Sequence, residues 1–372
     1  MKVRYSYLQQ QFAKPEAIFE GIQALLKTGA FTLGPQVEEF ERSFADLIGT
    51  KHAIGVGSGT DALKLPLKAV GIGHGDEVIT AANTFIATAG AINEIGAKPV
   101  FVDATPYYTM NVDQVEKAIT PKTKAIMPVH LTGEPVDMKP LMALAQKHGI
   151  PIVEDACQSI LAEIDGKRAG TWGVAAGFSL HPLKNLNVWG DAGVVVTNDD
   201  KVASQLRLLR NHGMKNRDEI AVFGYNSRLD TLQAVVGNWL IPQTGDITAQ
   251  RRRNAGMYDE AFKSLTGLVR LAPRRSNVRQ VFHLYMFEVA KEHRDRLHQF
   301  LMKEGVDAKV HYPIPLFLQE GLKHLGYKPG DFPETERQAR EVLTLPVDQH
   351  LTREEVNYCI DRVKYYFEKG GL

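Results

Sequence analysis

Lys184 sits in the segment FSLHPLKNLNVWGDAGVVVTND, residues 178–199. An apolar run over 174–180 reads as a buried strand. Pro182 and the polar, glycine-containing stretch behind it end that strand. A lysine at the end of a buried strand is poorly placed for a surface ion pair. It is well placed to be desolvated, which lowers its pKa and makes it a nucleophilic amine. A second buried run, 150–153, leads into Glu154-Asp155-Ala156-Cys157-Gln158. One strand delivering a carboxylate and another delivering a lysine suit pyridoxal phosphate. The lysine forms a Schiff base with it, and the aspartate keeps its pyridine nitrogen protonated. Taken singly, Lys184 is equally a solvated lysine, and Asp155 a helix cap or a metal or ribose ligand. Their order and their shared place at strand ends favour the cofactor.

Other residues fit around this pair. Gly57-Ser58-Gly59-Thr60 follows a short strand and opens a helix. Such a turn admits an anion to backbone N–H groups at a helix N-terminus, and is otherwise only a turn. Ser179 and Asn226 are further phosphate partners or satisfied polar residues. Phe85 is a stacking platform for the pyridine ring or a plain core residue. His181, Trp189, Asp191 and His212 lie near the lysine in sequence. In His311-Tyr312-Pro313-Ile314-Pro315 two prolines stiffen a loop and leave a histidine and a tyrosine at its mouth. Arg228 precedes a long helical stretch; its guanidinium suits bidentate phosphate binding or a surface ion pair.

The elements that must position these residues alternate. Strands are expected at 53–55, 77–80, 99–103, 125–129 and 150–154, with amphipathic helices at 61–69, 84–95, 113–119 and 138–148. A strand pair at 174–180 and 193–197 and a helix at 201–211 follow. This alternation predicts an α/β sandwich on a largely parallel sheet. A long helical region, 229–265, is expected to kink at Pro242 and Gly245 and to link two domains. The remainder reads as strand 282–289, helix 295–304, strand 307–310, helix 334–342 and helix 353–367. The domains are therefore a large cofactor-binding α/β unit at 1–245 and a smaller α+β unit at 246–372.

Composition narrows the function class. Of 372 residues, 44% are hydrophobic and 23% charged, as in a soluble globular protein, and the net charge is +1. No charge footprint for nucleic acid or an anionic membrane exists, so an anionic substrate needs a local basic site. The two cysteines, Cys157 and Cys359, have neither metal nor disulfide-framework spacing, which fits the cytoplasm. The N-terminal residues lack a signal-like apolar core, and no stretch has membrane-span length.

The whole set resembles the DegT/StrS-type sugar aminotransferases, pyridoxal phosphate enzymes of fold type I. The matching blocks are FTLGPQVEEFE from Phe31, GVGSGTDAL from Gly55, GDEVITAANTFIAT from Gly75, PVHLTG from Pro128, IVEDACQS from Ile152, the Lys184 segment, LRNHG from Leu209, YNSRLDTLQA from Tyr225 and HYPIPL from His311. The resemblance implies that Lys184 is the Schiff-base lysine and Asp155 the partner of the pyridine nitrogen. It implies that Gln158 bonds the phenolic oxygen, that Gly59, Thr60 and Ser179 form the phosphate cup, and that Phe85 stacks on the ring. Asn226 matches a residue serving the neighbouring subunit's cofactor, which implies a homodimer with shared sites. Arg228, His311 and Tyr312 match the nucleotide-sugar cleft. The implied reaction moves the amino group of L-glutamate to a nucleotide-linked 3-keto or 4-keto 6-deoxyhexose. Leu183, Asn187 and Trp189 depart from the commonest pattern beside the lysine, which leaves the sugar open; keto-cyclitols are alternative acceptors. A dehydratase branch carries histidine in place of the lysine, so Lys184 argues against that chemistry. A non-catalytic regulatory protein on this fold would leave the cofactor residues unexplained.

Overall fold

The computed structural model describes residues 1–371. Seven strands form the main sheet: β1 (His52–Val56), β2 (Glu77–Ala81), β3 (Lys98–Val102), β4 (Thr123–Met127), β5 (Val153–Asp155), β6 (Ala175–Ser179) and β7 (Gly193–Thr197). Their order is β1-β7-β6-β5-β4-β2-β3, with parallel bridges at Ile126–Ile152 and Val129–Asp155 joining β4 to β5. Only β7 runs against its neighbours. Helices cover both faces, so the strands are buried over most of their length and read as largely continuous apolar runs. Helix Gly59–Ala69 lies across β6 and β7, and helices Glu16–Thr28 and Pro35–Ile48 pack on helix Thr231–Leu240.

The long helical region is two helices, Thr231–Leu240 and Thr244–Phe262, joined by a 3-10 turn at Ile241–Gln243 that contains Pro242. Gly245 lies inside the second helix and does not break it. Beyond it, β8 (Val269–Leu271), β9 (Tyr285–Val289) and β10 (Val342–Leu345) form an antiparallel sheet backed by helices Lys291–Lys303 and Arg353–Glu368. Tyr258, Phe262, Tyr285, Phe287, Leu297 and Tyr366 fill its core.

Two expectations are corrected here. Residues 307–310 are not a strand: only Lys309 bridges Thr344. Their neighbourhood instead holds the N-terminus, with Val3 N donating to Gly305 O at 2.8 Å and Asp307 N to Val3 O at 2.9 Å. The helix expected over 334–342 ends at Glu341, and Val-Leu-Thr-Leu behind it joins the sheet as β10. Val3 and Tyr7 belong to the same core as the C-terminal helices. Asp103, just past β3, ties this part to the main sheet. Its carboxylate accepts from Glu334 N, Thr335 N and Thr335 Oγ1 at 2.8–2.9 Å and so caps helix Pro333–Glu341.

Candidate active site

A cavity of about 340 Å³ opens at the C-terminal ends of β5 and β6, where ligands of open α/β sheets bind. Lys184, Asp155, Gln158, Gly59, Thr60, Ser179, Phe85, His311 and Tyr312 all line it. Lys184 stands in a tight turn after β6, its N–H donating to His181 O at 2.8 Å. The side chain is half-buried. Desolvation holds its amine below the usual lysine range, against the pull of Cys157 and Asp155.

Asp155 ends β5 and is buried. Its Oδ2 accepts from Thr88 Oγ1 at 2.7 Å and its Oδ1 from Cys157 N at 3.1 Å. Thr84 Oγ1 lies 2.7 Å from Thr88 Oγ1, so the hydroxyls form a chain ending on the carboxylate. Each carboxylate oxygen keeps a free lone pair. Neighbouring Glu154, on the opposite side of the strand, is a structural knot. It accepts from His130 Nε2 at 2.9 Å and from the N–H groups of Gly170, Trp172 and Gly173 at 2.7–2.8 Å. Gln158 Oε1 accepts from Thr132 N at 2.9 Å, and its side chain lines the cavity with Tyr312.

Helix Gly59–Ala69 points its N-terminus into the cavity beside Ser179. Ser58 caps it, Oγ accepting from Asp61 N at 3.1 Å. The first-turn N–H groups of Gly59 and Thr60 have no intrahelical partner. A Cβ on Gly59 would lie 2.6 Å from Ser179 Cβ, and one on Gly193 2.2 Å from Ser58 O. Glycine at both places lets the helix end settle against β6 and β7 and leaves an open cradle.

Phe85 precedes helix Ile86–Glu94 and is 51% exposed at the cavity wall, not packed in a core. Its ring centroid is 5.9 Å from that of Tyr312. Burial raises the Tyr312 hydroxyl to about 12. His311 Nδ1 lies 2.9 Å from Thr344 Oγ1; burial, then Lys184, lowers its pKa to about 4.

Asn226 and Arg228 do not line this chain's cavity. Asn226 is exposed and bridges Asn211 through the backbone; Arg228 Nη1 donates to Asn211 Oδ1 at 3.1 Å. Of the lysine's sequence neighbours, His181 and Asp191 reach the cavity, while Trp189 packs edge-on against Phe12. Tyr5, Thr88, Cys157 and His283 line the site unforeseen. Tyr5 and His283 arrive from distant segments and carry no local signal. Thr88 lies in the first turn of helix Ile86–Glu94, and its hydroxyl meets that of Thr84 just before the helix. Burial and the nearby Lys184 and Arg251 charges hold His283 well below the usual histidine range.

These groups fit pyridoxal phosphate. The cradle offers N–H and hydroxyl donors to a phosphate, the buried carboxylate can accept a ring N–H, and an amine of lowered pKa stands between them. Fold and site together define a pyridoxal-phosphate-dependent transferase of fold type I. The sequence profile of the DegT/DnrJ/EryC1/StrS aminotransferase family matches residues 13–364, so the chain belongs to that family. It is 42% identical to a "pleiotropic regulatory protein" of Geobacillus stearothermophilus over 362 residues, 96% of either chain. It is 43% identical to a UDP-N-acetyl-3-dehydro-alpha-D-glucosamine 3-aminotransferase of Acidithiobacillus ferrooxidans, covering 92% of this chain and 91% of that one. The crystal structure of S. venezuelae DesV in complex with ketimine intermediate matches with a TM-score of 0.94 and 39% identity, covering 99% of each chain.

Proposed function

We propose that this aminotransferase moves the amino group of L-glutamate to a nucleotide-linked 3-keto or 4-keto sugar, releasing 2-oxoglutarate and an amino-sugar. One observation carries the reading: a lysine of lowered pKa shares a cavity with a buried, incompletely paired carboxylate and an anion cradle. Bound pyridoxal phosphate supplies an electrophilic carbon for the amino group and a ring that stores the electron pair left when a Cα–H bond breaks. The chain's residues do the rest. Gly59 N–H, Thr60 N–H and the Ser179 hydroxyl hold the phosphate. Asp155 accepts the ring N–H and stabilises its positive charge. Gln158 would donate from Nε2 to the phenolic oxygen, and Phe85 would cover a ring face. Lys184 Nζ takes the proton from Cα of the donor. In the second half it gives a proton to the carbon that bore the sugar's keto oxygen. His311 and Tyr312 wall the acceptor side.

The relative from Acidithiobacillus supports amination at C3 of a nucleotide sugar. The name of the Geobacillus relative raises a regulatory reading, but the assembled catalytic groups favour the enzyme. We place the enzyme in the cytoplasm as a homodimer. No helix among the described residues is long and apolar enough to cross a membrane. Phe223 and Ile220, close to Asn226, are 99% and 67% exposed. We read this apolar exposure as part of the dimer contact surface. In the dimer, Asn226 of the partner subunit completes the phosphate site and Arg228 of the partner subunit faces the nucleotide. Incubating the protein with L-glutamate and a panel of 3-keto and 4-keto nucleotide sugars tests the reaction. Stoichiometric 2-oxoglutarate and amino-sugar from at least one sugar is expected; none from any contradicts it.

A further inference from the structure

Behind the lysine runs a buried file of polar side chains that do not line the cavity. Arg251 Nε donates to Gln349 Oε1 at 3.0 Å. Gln349 Nε2 donates to Gln11 Oε1 at 2.6 Å, and Gln11 Nε2 to Asn187 Oδ1 at 2.8 Å. Asn187 Nδ2 ends the file on the carbonyl of Lys184 at 2.9 Å. All four side chains are buried. Every bond points the same way, from a cation toward a carbonyl, so each polarises the next.

The file joins segments far apart in sequence. Gln11 ends the short helix Leu8–Gln11, Gln349 precedes helix Arg353–Glu368, and Arg251 lies in helix Thr244–Phe262. Arg251 is anchored by the buried Asp348 carboxylate, whose Oδ2 lies 3.8 Å from Nη2. It spends its other donors on Phe282 O and His283 O, at 3.2 and 3.3 Å. His283 in turn meets Asn185 Oδ1 at 3.3 Å through Nδ1. One buried guanidinium therefore fixes two walls of the cavity, the lysine turn and the His283 segment.

We propose that Arg251, Gln349, Gln11 and Asn187 act as positioning residues that lock the Lys184 main chain and so aim its amine. With Lys184 N bound to His181 O and Lys184 O bound to Asn187, both main-chain polar groups of the residue are tied. The amine then departs from a fixed Cα. Filling the same space with apolar side chains would serve packing alone, whereas a directional file selects one orientation. The inference rests on Lys184 being the catalytic amine.

The test compares wild type with Asn187→Ala, Gln11→Ala and the double variant. Three quantities are measured: affinity of the apo-protein for pyridoxal phosphate, the pH midpoint of the visible band of the holoenzyme, and kcat and KM with L-glutamate. Each single variant is expected to lower kcat about tenfold, as for one lost oriented hydrogen bond. Each should shift the spectral midpoint by about half a pH unit, with KM little changed. The double variant should lose no more than the worse single one, because breaking the file anywhere breaks it all. Gln349→Ala, at the far end, must reproduce the shift if Asn187→Ala does not fold. Unchanged midpoint, affinity and kcat overturn the proposal, as do losses that multiply independently or follow thermal stability alone. An inactive wild type contradicts the aminotransferase reading instead.

Discussion

Burial holds the Lys184 amine below the usual lysine range, so more of it is free base at neutral pH than for a solvated lysine. In the proposed mechanism Asp155 acts at the other end of the cavity through charge. In Asp155→Ala the carboxylate is gone while the cradle remains, so cofactor still binds. Turnover should fall on the order of a hundredfold or more; wild-type turnover would remove Asp155 from the mechanism. His311 offers a test through stability. Its folded pKa, about 4, lies below the unfolded value near 6.5. The unfolded chain therefore binds the proton first as pH falls. Stability contributed by the neutral ring is present above pH 6.5 and is lost as pH drops toward 4, by up to about 3 kcal/mol. Denaturant titrations across this window should show a shallower loss for His311→Asn than for wild type. Equal slopes would mean that His311 is not held neutral.

Among elements, the meeting of helix Gly59–Ala69 with β6 and β7 decides whether the cradle exists. Gly193→Ala puts a methyl 2.2 Å from Ser58 O, a backbone atom that cannot rotate away. The helix end must shift, at a cost of about 1–3 kcal/mol. Cofactor affinity should fall with it, as equilibrium titration of the apo-protein would show; unchanged affinity would separate the cradle from the helix packing. The main sheet was legible in the sequence because its strands are buried on both faces and stand out as unbroken apolar runs. Asp155 was legible because it interrupts such a run at the end of β5, and Lys184 because it stands in the turn that follows the run of β6. The stretch over 307–310 misled because its apolar and polar residues alternate, although its pairing is split between Val3 and a single bridge to Thr344. β10 was hidden because Val342 closes the helical pattern over 334–342 and only three residues remain before Pro346. Tyr5, His283 and the file behind Lys184 depend on contacts between segments hundreds of residues apart, for which a local pattern carries no trace.

For the whole molecule, the proposed dimer ties assembly to chemistry. Asn226 and Arg228 stand outside their own cavity, next to the exposed Phe223 and Ile220. A two-fold pair, the commonest closed assembly, would bring that surface to a partner's cavity. Phe223→Asp should therefore weaken the dimer in sedimentation and lower cofactor affinity together; a monomer that stays active would refute the shared site. Mixing Lys184→Ala with Asn226→Asp subunits should restore activity above either parent, because one site of each mixed dimer carries neither lesion. No recovery in proven mixed dimers would return Asn226 to its own subunit's cofactor. The most direct measurement is the amino-transfer half-reaction. Wild type and Lys184→Ala, each loaded with pyridoxal phosphate, are given L-glutamate while the visible band and 2-oxoglutarate are followed. Wild type should lose the band and release one equivalent of 2-oxoglutarate per site, and Lys184→Ala should bind cofactor yet release none. Release by Lys184→Ala at the wild-type rate would contradict the account.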